Sequence, residues 1–356
     1  MNREEKKHFF SNSILFWASS NNRNLPWKTS DPYKIWVSEI ILQQTQVKQG
    51  LPYYQKFIER FPSVISLAEA NLDEVYNYWK GLGYYSRARY LHETAEIIVE
   101  QHQGIFPRTS VQLKKLKGIG DYTARAIASF AFNEAIGVLD GNVHRVLSRY
   151  FGIHKTMEKS ADKHYYQMLA NALVPSQSSS GIYNQAIMDF GALLCTPRLP
   201  DCDQCPLQSQ CAAFKKNKVE ILPPVKKKIP VKQRFFIYFL VQNKHGDILI
   251  AQRDLKDIWA KLYELPGIEI FKESQLLEET DHNPTQLGIE THNISERLSF
   301  SPIKHQLSHQ TLYIRFERIN CQEFVFGSRF RKINRKNLSN FAFPKPIQSF
   351  LSIQKF

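Results

Sequence analysis

Four of the five cysteines fall within seventeen residues: Cys195, Cys202, Cys205 and Cys211, with six, two and five residues between them. Loops that short let four thiolates converge on one small volume, which calls for a metal rather than a disulfide framework. Zinc modules usually pair two Cys-x2-Cys knuckles and only one is present, so the spacing favours an iron-sulfur cluster and leaves structural zinc as the alternative. Cys321 stands apart and reads as an ordinary thiol.

Two carboxylates could do acid-base work. Asp140 immediately precedes the helix-like run Gly141-Asn142-Val143-His144-Arg145-Val146, where the simplest role is that of an N-cap. Glu39 lies in a helical pattern whose apolar stripe is Tyr33, Trp36, Val37, Ile40, Ile41 and Val47, on the opposite face, flanked by Ile35 and Leu42. A solvated surface carboxylate is one reading. Cover by a folded neighbour would instead disfavour the charge, raise the pKa and make Glu39 a proton donor near neutral pH. Between the two, Leu113-Lys114-Lys115-Leu116-Lys117-Gly118-Ile119-Gly120-Asp121-Tyr122 reads as a short helix, a Gly-x-Gly turn and the start of an alanine-rich helix running to about Ala131. Gly118 and Gly120 let backbone approach a phosphate, the second helix offers free N–H groups, and Lys114, Lys115 and Lys117 add charge. A plain αα-hairpin would carry the same glycines.

The elements that must position these residues fall into two groups. To about Leu222 the apolar spacing is helical; Pro223, Pro224, Lys226 to Lys228 and Pro230 then interrupt it as a linker over 223–230. Beyond it, Phe235 to Val241, Asp247 to Gln252 and Gln310 to Ile319 are β-branched and aromatic, as strands are. The expected organisation is a helical domain over 1–222 with the cysteine loop at 195–211, and an α+β domain over 231–356. Lys and Arg number 47 against 33 Asp and Glu, a formal +14, which suits nucleic acid first and an anionic membrane second. The longest apolar run is too short to span a bilayer, and the N-terminal stretch lacks a signal-peptide core. A reducing, cytoplasmic setting is the expectation, with no membrane partner.

The cysteine spacing resembles the cluster loop of the endonuclease III and MutY glycosylases, and Asn184 to Ala192 before it is similar to theirs as well. The Gly-x-Gly segment resembles their helix-hairpin-helix, and that superfamily places its essential Asp where Asp140 stands, about twenty residues on. Trp36 to Val47 closely resembles the MutY helix that carries a catalytic Glu at the position of Glu39. Tyr122 occupies the place where bifunctional relatives have a nucleophilic Lys, so no Schiff base is expected from it. Leu82-Gly83-Tyr84-Tyr85, followed by Arg87 and Arg89, resembles the family's DNA wedge, with Tyr84 as the intercalating candidate.

In the second half, Leu262-Tyr263-Glu264-Leu265-Pro266-Gly267 resembles the entry to the Nudix motif, and Glu273 keeps its first spacing; a turn leading a strand is the plainer reading. In that register the motif's Arg-Glu and Glu-Glu fall on Asp281, His282, Thr285 and Gln286, so the magnesium carboxylates are missing, as in the MutT-like domain of MutY. Gln306-Leu307-Ser308-His309 would be its recognition loop, with Leu307 where the family often has Phe.

The resemblance thus implies an adenine DNA glycosylase of the MutY family: a helix-hairpin-helix domain with a 4Fe-4S cluster on Cys195, Cys202, Cys205 and Cys211, and a Nudix-like domain. It implies Glu39 and Asp140 as catalytic, with Tyr122 and Asn142 orienting them. Contacts to DNA would come from Gln44, Tyr84, Arg87, Lys117, Gly118, Gly120, Leu307, Ser308 and His309. The implied partner is duplex DNA with adenine opposite 8-oxoguanine or guanine, bound by a monomer that associates with the nucleoid. His144 stands where some relatives carry Lys. A lyase of the endonuclease III type and a non-catalytic zinc DNA-binding protein are the competing readings.

Overall fold

Aspartate at position 31 accepts from the Tyr33 backbone N–H at 2.9 Å, and Pro32 supplies a preset φ at the first helical position. That cap starts one of the helices that make up the first of two units in this computed structural model, which describes residues 3–21, 23–175, 179–224, 231–255, 257–277 and 282–354. By their contacts, Met1–Glu69 and Tyr90–Lys228 form one unit, and Ala70–Arg89 and Ile229–Phe356 the other. Segment 70–89, expected with the helical domain, therefore groups with the C-terminal half. Of the linker, only Pro223 and Pro224 lie among the described residues.

The helices are α1 (Arg3–Ser20), α2 (Pro32–Ile41), α3 (Val47–Arg60), α4 (Val64–Ala68), α5 (Leu72–Trp79), α6 (Ser86–His102), α7 (Ser110–Leu113), α8 (Asp121–Phe132), α9 (Gly141–Phe151), α10 (Ser160–Asn171), α11 (Ser180–Leu193) and α12 (Ala212–Lys215). Phe10 and Ile14 of α1, Leu147 and Tyr150 of α9, Tyr166 of α10 and Phe190 of α11 share one core. Each side chain buried there stabilises the fold by roughly 1.5–3 kcal/mol relative to exposure. This core fixes α9 and α11 against each other, and both reach the candidate site.

The second unit holds an eight-stranded mixed sheet: β1 (Lys232–Asn243), β2 (Asp247–Gln252), β3 (Tyr263–Glu264), β4 (Gly267–Ile270), β5 (Ile289–Ser299), β6 (Ile303–Gln306), β7 (Gln310–Phe326) and β8 (Arg331–Asn334). The order β3-β2-β1-β7-β5 is extended by β4 on β1, β6 on β7 and β8 on β2, and β1 runs parallel to β7 with Lys232 opposite Gln310. The unbroken apolar run in β1 has a physical cause: Phe236, Tyr238 and Leu240 enter the core on one face, and Phe235, Ile237, Phe239 and Val241 the core on the other. Helix α13 (Ser274–Leu277) covers the second face and α14 (Lys345–Ile353) the first. The segment where a Nudix helix would carry its carboxylates is a single 3-10 turn, Pro284–Leu287, closed by Gly288 at φ 72°. Asp281 lies outside the described residues, and His282, Thr285 and Gln286 present no carboxylate.

Candidate active site

Helix α2 is buried at Tyr33 and continuously from Ile35 to Ile41. The face that carries Glu39 is covered, the second of the two readings of this carboxylate. The helix also ends at Ile41, with Gln44 in a left-handed conformation at φ 57° before α3 begins, so Val47 is not part of the α2 stripe. Glu39 is 9% exposed, and burial drives its carboxyl from the ordinary 4.5 to about 7. The Tyr122 hydroxyl donates to it and restrains the rise, while Asp140 adds to it by like-charge repulsion. Tyr122 is held well above its own ordinary value by burial and by that carboxylate, so it stays a phenol and a donor.

Asp140 is both a cap and a member of the site. Its Oδ1 accepts from the Val143 backbone N–H at 2.7 Å and its Oδ2 from the Asn142 amide at 2.8 Å. Burial raises its pKa, and these two donors with the nearby Arg145 charge oppose the rise. Asn142 is itself held: its Oδ1 accepts from Arg145 Nη2 at 2.8 Å, and Arg145 also donates to the carbonyls of Gly191 at 2.7 Å and Cys195 at 2.8 Å. An added Cβ at Gly191 would lie 2.8 Å from Asn142 Cβ and 3.1 Å from its backbone, so only glycine on α11 lets the start of α9 sit this close.

Glu39, Tyr122, Asp140 and Asn142 line one cavity of about 760 Å³, with Gln44 at its exposed edge. That size lies within the range of small-molecule pockets. In the hairpin, Gly118 adopts φ 76° and a Cβ there would sit 2.5 Å from Tyr90 Cβ, whereas nothing lies within 4 Å of one at Gly120. Gly120 caps α8 without any side-chain acceptor, leaving an open helix N-terminus. Lys114 and Lys117 are engaged with Asp121 at 3.1 Å and Glu93 at 2.5 Å, so their charge is shared with carboxylates.

In the segment 70–89, Tyr84 is 45% exposed at φ 48°. Arg87 is turned onto its own turn: Nη2 donates to the Gly83 carbonyl at 3.2 Å, and the guanidinium lies 5.3 Å from the Trp79 ring and 5.6 Å from that of Tyr84. In this placement it braces Tyr84. In the β6–β7 hairpin, Leu307 packs into the core below while Ser308 and His309 are exposed, with Ser308 Oγ 3.1 Å from His309 Nδ1. Leu307 therefore supports the tip rather than forming it. His144 is buried edge-on against Tyr166 at 4.4 Å, a packing role rather than a surface one.

Cys195, Cys202, Cys205 and Cys211 line a second cavity together with Arg149. Burial pushes Cys205 up to about 12 and raises Cys202 and Cys211, and mutual repulsion of thiolates adds to each. Among the described residues no three His, Cys, Asp or Glu side chains are grouped as a site for a single metal ion.

Residues 37–170 match the HhH-GPD superfamily of base excision DNA repair proteins, and residues 237–352 match the NUDIX domain. The adenine DNA glycosylase of Buchnera aphidicola subsp. Baizongia pistaciae (strain Bp) is 37% identical over 353 residues, spanning 98% of this chain and 97% of that protein. The chain belongs to the adenine DNA glycosylase family. Its relative in Homo sapiens is 43% identical over 223 residues, 60% of this chain and 41% of that protein. Among solved structures, a thermostable thymine-DNA glycosylase is 30% identical with a TM-score of 0.56 over 60% of this chain and 98% of its own. A non-covalent endonuclease III–DNA complex, 19% identical with a TM-score of 0.52 over 61% of this chain and 99% of its own, shares the fold.

As a member of the adenine DNA glycosylase family, the chain also brings to the cavity residues that spacing did not single out. Trp27 and Lys28 come from the loop before α2, and Gln185 and Asp189 from α11. Asp189 pairs with Lys28 at 2.7 Å and with Arg23 at 3.4 Å. Gln185 and Asp189 fall within the Asn184 to Ala192 stretch, but no motif joins them to Trp27 and Lys28. The available signal was the polar set Asn184, Gln185 and Asp189 in a largely apolar helix.

Proposed function

We propose that this chain removes adenine from duplex DNA in which it faces 8-oxoguanine or guanine, by base flipping and direct hydrolysis of the N-glycosidic bond. The observation that carries the reading is one cavity presenting two carboxylates with different surroundings, buried Glu39 raised to about 7 and half-buried Asp140 held by donors. Extruding the adenine costs a few kcal/mol. Glu39, protonated in a large fraction of molecules at neutral pH, gives its proton to N7 and makes the base a neutral leaving group. Asp140 stabilises the oxocarbenium-like sugar, in the division of labour paired carboxylates show in glycoside hydrolysis. Adenine offers acceptor nitrogens beside its N6 donor, and the Gln185 amide, able to give and accept, and the Lys28 ammonium line the same cavity to meet them.

Tyr122 offers no amine, so the reaction ends with water rather than a Schiff base. The open N-terminus of α8, Gly118, Gly120 and Lys117 hold backbone phosphate, Gln44 and Tyr84 occupy the stack, and Ser308 and His309 read the opposite base. In this reading 1–222 is the glycosylase domain, 231–356 the reader, and the protein acts as a monomer.

The four cysteines fit a 4Fe-4S cluster better than one zinc. All four cysteines border one cavity, and only one Cys-x2-Cys pair lies among them where zinc modules usually have two. When bound, the cluster supplies a rigid anchor for loop 195–211 and a one-electron redox centre.

The deciding experiment is single-turnover adenine release from duplexes with adenine opposite 8-oxoguanine, guanine or thymine, with wild type and Asp140→Asn. Release only from the first two, lost in the variant with duplex binding kept, supports the proposal. Failure of the loaded wild type on every adenine duplex overturns it, and a borohydride-stable adduct on oxidised pyrimidines would reassign the chain as a lyase.

A further inference from the structure

Arg149 lies one turn beyond Arg145 on α9 and is 3% exposed. Its Nε donates to the Leu222 carbonyl at 3.0 Å, Nη1 to the Thr196 carbonyl at 2.7 Å and to Cys195 Sγ at 3.4 Å, and Nη2 to the Pro197 carbonyl at 3.3 Å. Cys211 Sγ in turn lies 3.5 Å from the Arg149 carbonyl. Among the described residues no carboxylate comes within ion-pair distance of this guanidinium. A buried cation without an opposite charge is strongly unfavourable, and carbonyl dipoles offset only part of the lost hydration. It lines one cavity with the four cysteines, where Asp201 also sits at the wall without an ion pair to it.

We propose that Arg149 is the built-in counter-charge of the thiolate-bound cluster: it raises the cluster's reduction potential and clamps the loop that carries its first ligand. The inference rests on the cluster reading given above. A cation donating to a ligand sulfur stabilises whichever oxidation state is more negative, which is the reduced one. Arg145 donates to the Cys195 carbonyl and to Asn142 Oδ1 and feels the charges of Cys195 and Asp140, but among the described residues it makes no hydrogen bond to a sulfur. The carbonyls that Arg149 gathers belong to Thr196 and Pro197, and Pro197 also lines the active-site cavity. Arg149 is thus a positioning residue for the loop between the cysteines and the site.

The test uses full-length protein purified without oxygen as wild type, Arg149→Gln and Arg149→Lys. Iron and acid-labile sulfide per chain, absorbance near 400 nm, its rate of loss under a chelator, and the potential on a DNA-modified electrode are measured. The Gln variant is expected to shift to a more negative potential by at least a tenfold change in the one-electron equilibrium, about 59 mV, and to lose absorbance several-fold faster. The Lys variant keeps charge without the planar fork; its potential should move in the same direction by less, with cluster loss still accelerated. A wild type without iron or sulfide overturns the cluster reading itself. A loaded wild type with a Gln variant unchanged in potential overturns the role of Arg149 alone. Should the Gln variant fail to fold by circular dichroism, a Lys variant equal to wild type in both potential and rate of cluster loss overturns it as well.

Discussion

Glu39→Gln exchanges a buried carboxyl for a neutral group of the same shape that can still accept from the Tyr122 hydroxyl. In the wild type, burial moves the carboxyl from the ordinary 4.5 to about 7, which at 1.36 kcal/mol per pH unit is about 3 kcal/mol. The folded pKa is raised, so this contribution is present in full below 4.5, declines as pH climbs to 7 and is absent above. Nothing titrates at this position in the Gln variant. The two proteins should therefore be of similar stability near pH 4.5, and the variant should be the more stable by up to about 3 kcal/mol at pH 8. Adenine release should meanwhile fall below detection, because no proton can be delivered. Urea unfolding followed by tryptophan fluorescence at both pH values, with single-turnover release on the same samples, measures both effects. A stability difference that is the same at pH 4.5 and pH 8 would refute the buried, shifted carboxyl; release retained by the variant would refute its role as the acid.

Three further outcomes follow from the same geometry. Tyr122→Phe removes a donor to a charged group, worth about 1.5–3 kcal/mol; Glu39 then rises further, and the alkaline limb of the single-turnover pH profile should move up by about one to two pH units. A limb that stays in place or moves down counts against the Tyr122–Glu39 bond. Asp140→Asn keeps a side chain that caps α9, so unfolding midpoints should stay within about 1 kcal/mol of wild type while release collapses, whereas Asp140→Ala should cost about 0.5–2 kcal/mol as well. Gly118→Ala places a Cβ against Tyr90 and an L side chain at φ 76°; a loss of at least about 1–2 kcal/mol is expected. It should be accompanied by weaker duplex binding in a filter assay, and wild-type affinity in the variant would sever the hairpin from phosphate binding.

Much of the fold was legible because its signals are local. The run Phe235 to Val241 reads as a strand from composition alone, the Gly-x-Gly turn announces the hairpin, and the alanine-rich stretch ends at Phe132, close to where periodicity ends it. What escaped is non-local. The burial of α2 depends on elements packed from elsewhere in the chain, so the residue pattern alone could not choose between a solvated and a covered face for Glu39. The stop at Ile41 has no Gly or Pro to mark it; Gln44 takes the left-handed conformation instead. Lys28, Asp189 and Gln185 meet only when the loop before α2 and helix α11 are brought together. Arg149 carries no motif at all, and its significance comes from what it lacks. The grouping of 70–89 with the C-terminal half is likewise a property of contacts that no window of sequence contains.

The left-handed Gln44 bears on search rather than chemistry. A genome offers about 10⁶–10⁹ competing sites, so an enzyme that inspects base pairs one at a time is governed by how briefly each inspection can last. A probe that had to order itself on every encounter would repeat that entropy loss, about 1–2 kcal/mol per residue, at every pair. Gln44 is set once, during folding, in a backbone conformation that L residues rarely take, at the edge of the cavity it serves. On the proposed reading, the strain is a standing cost borne by the fold, and in return each undamaged pair can be released as quickly as it is met.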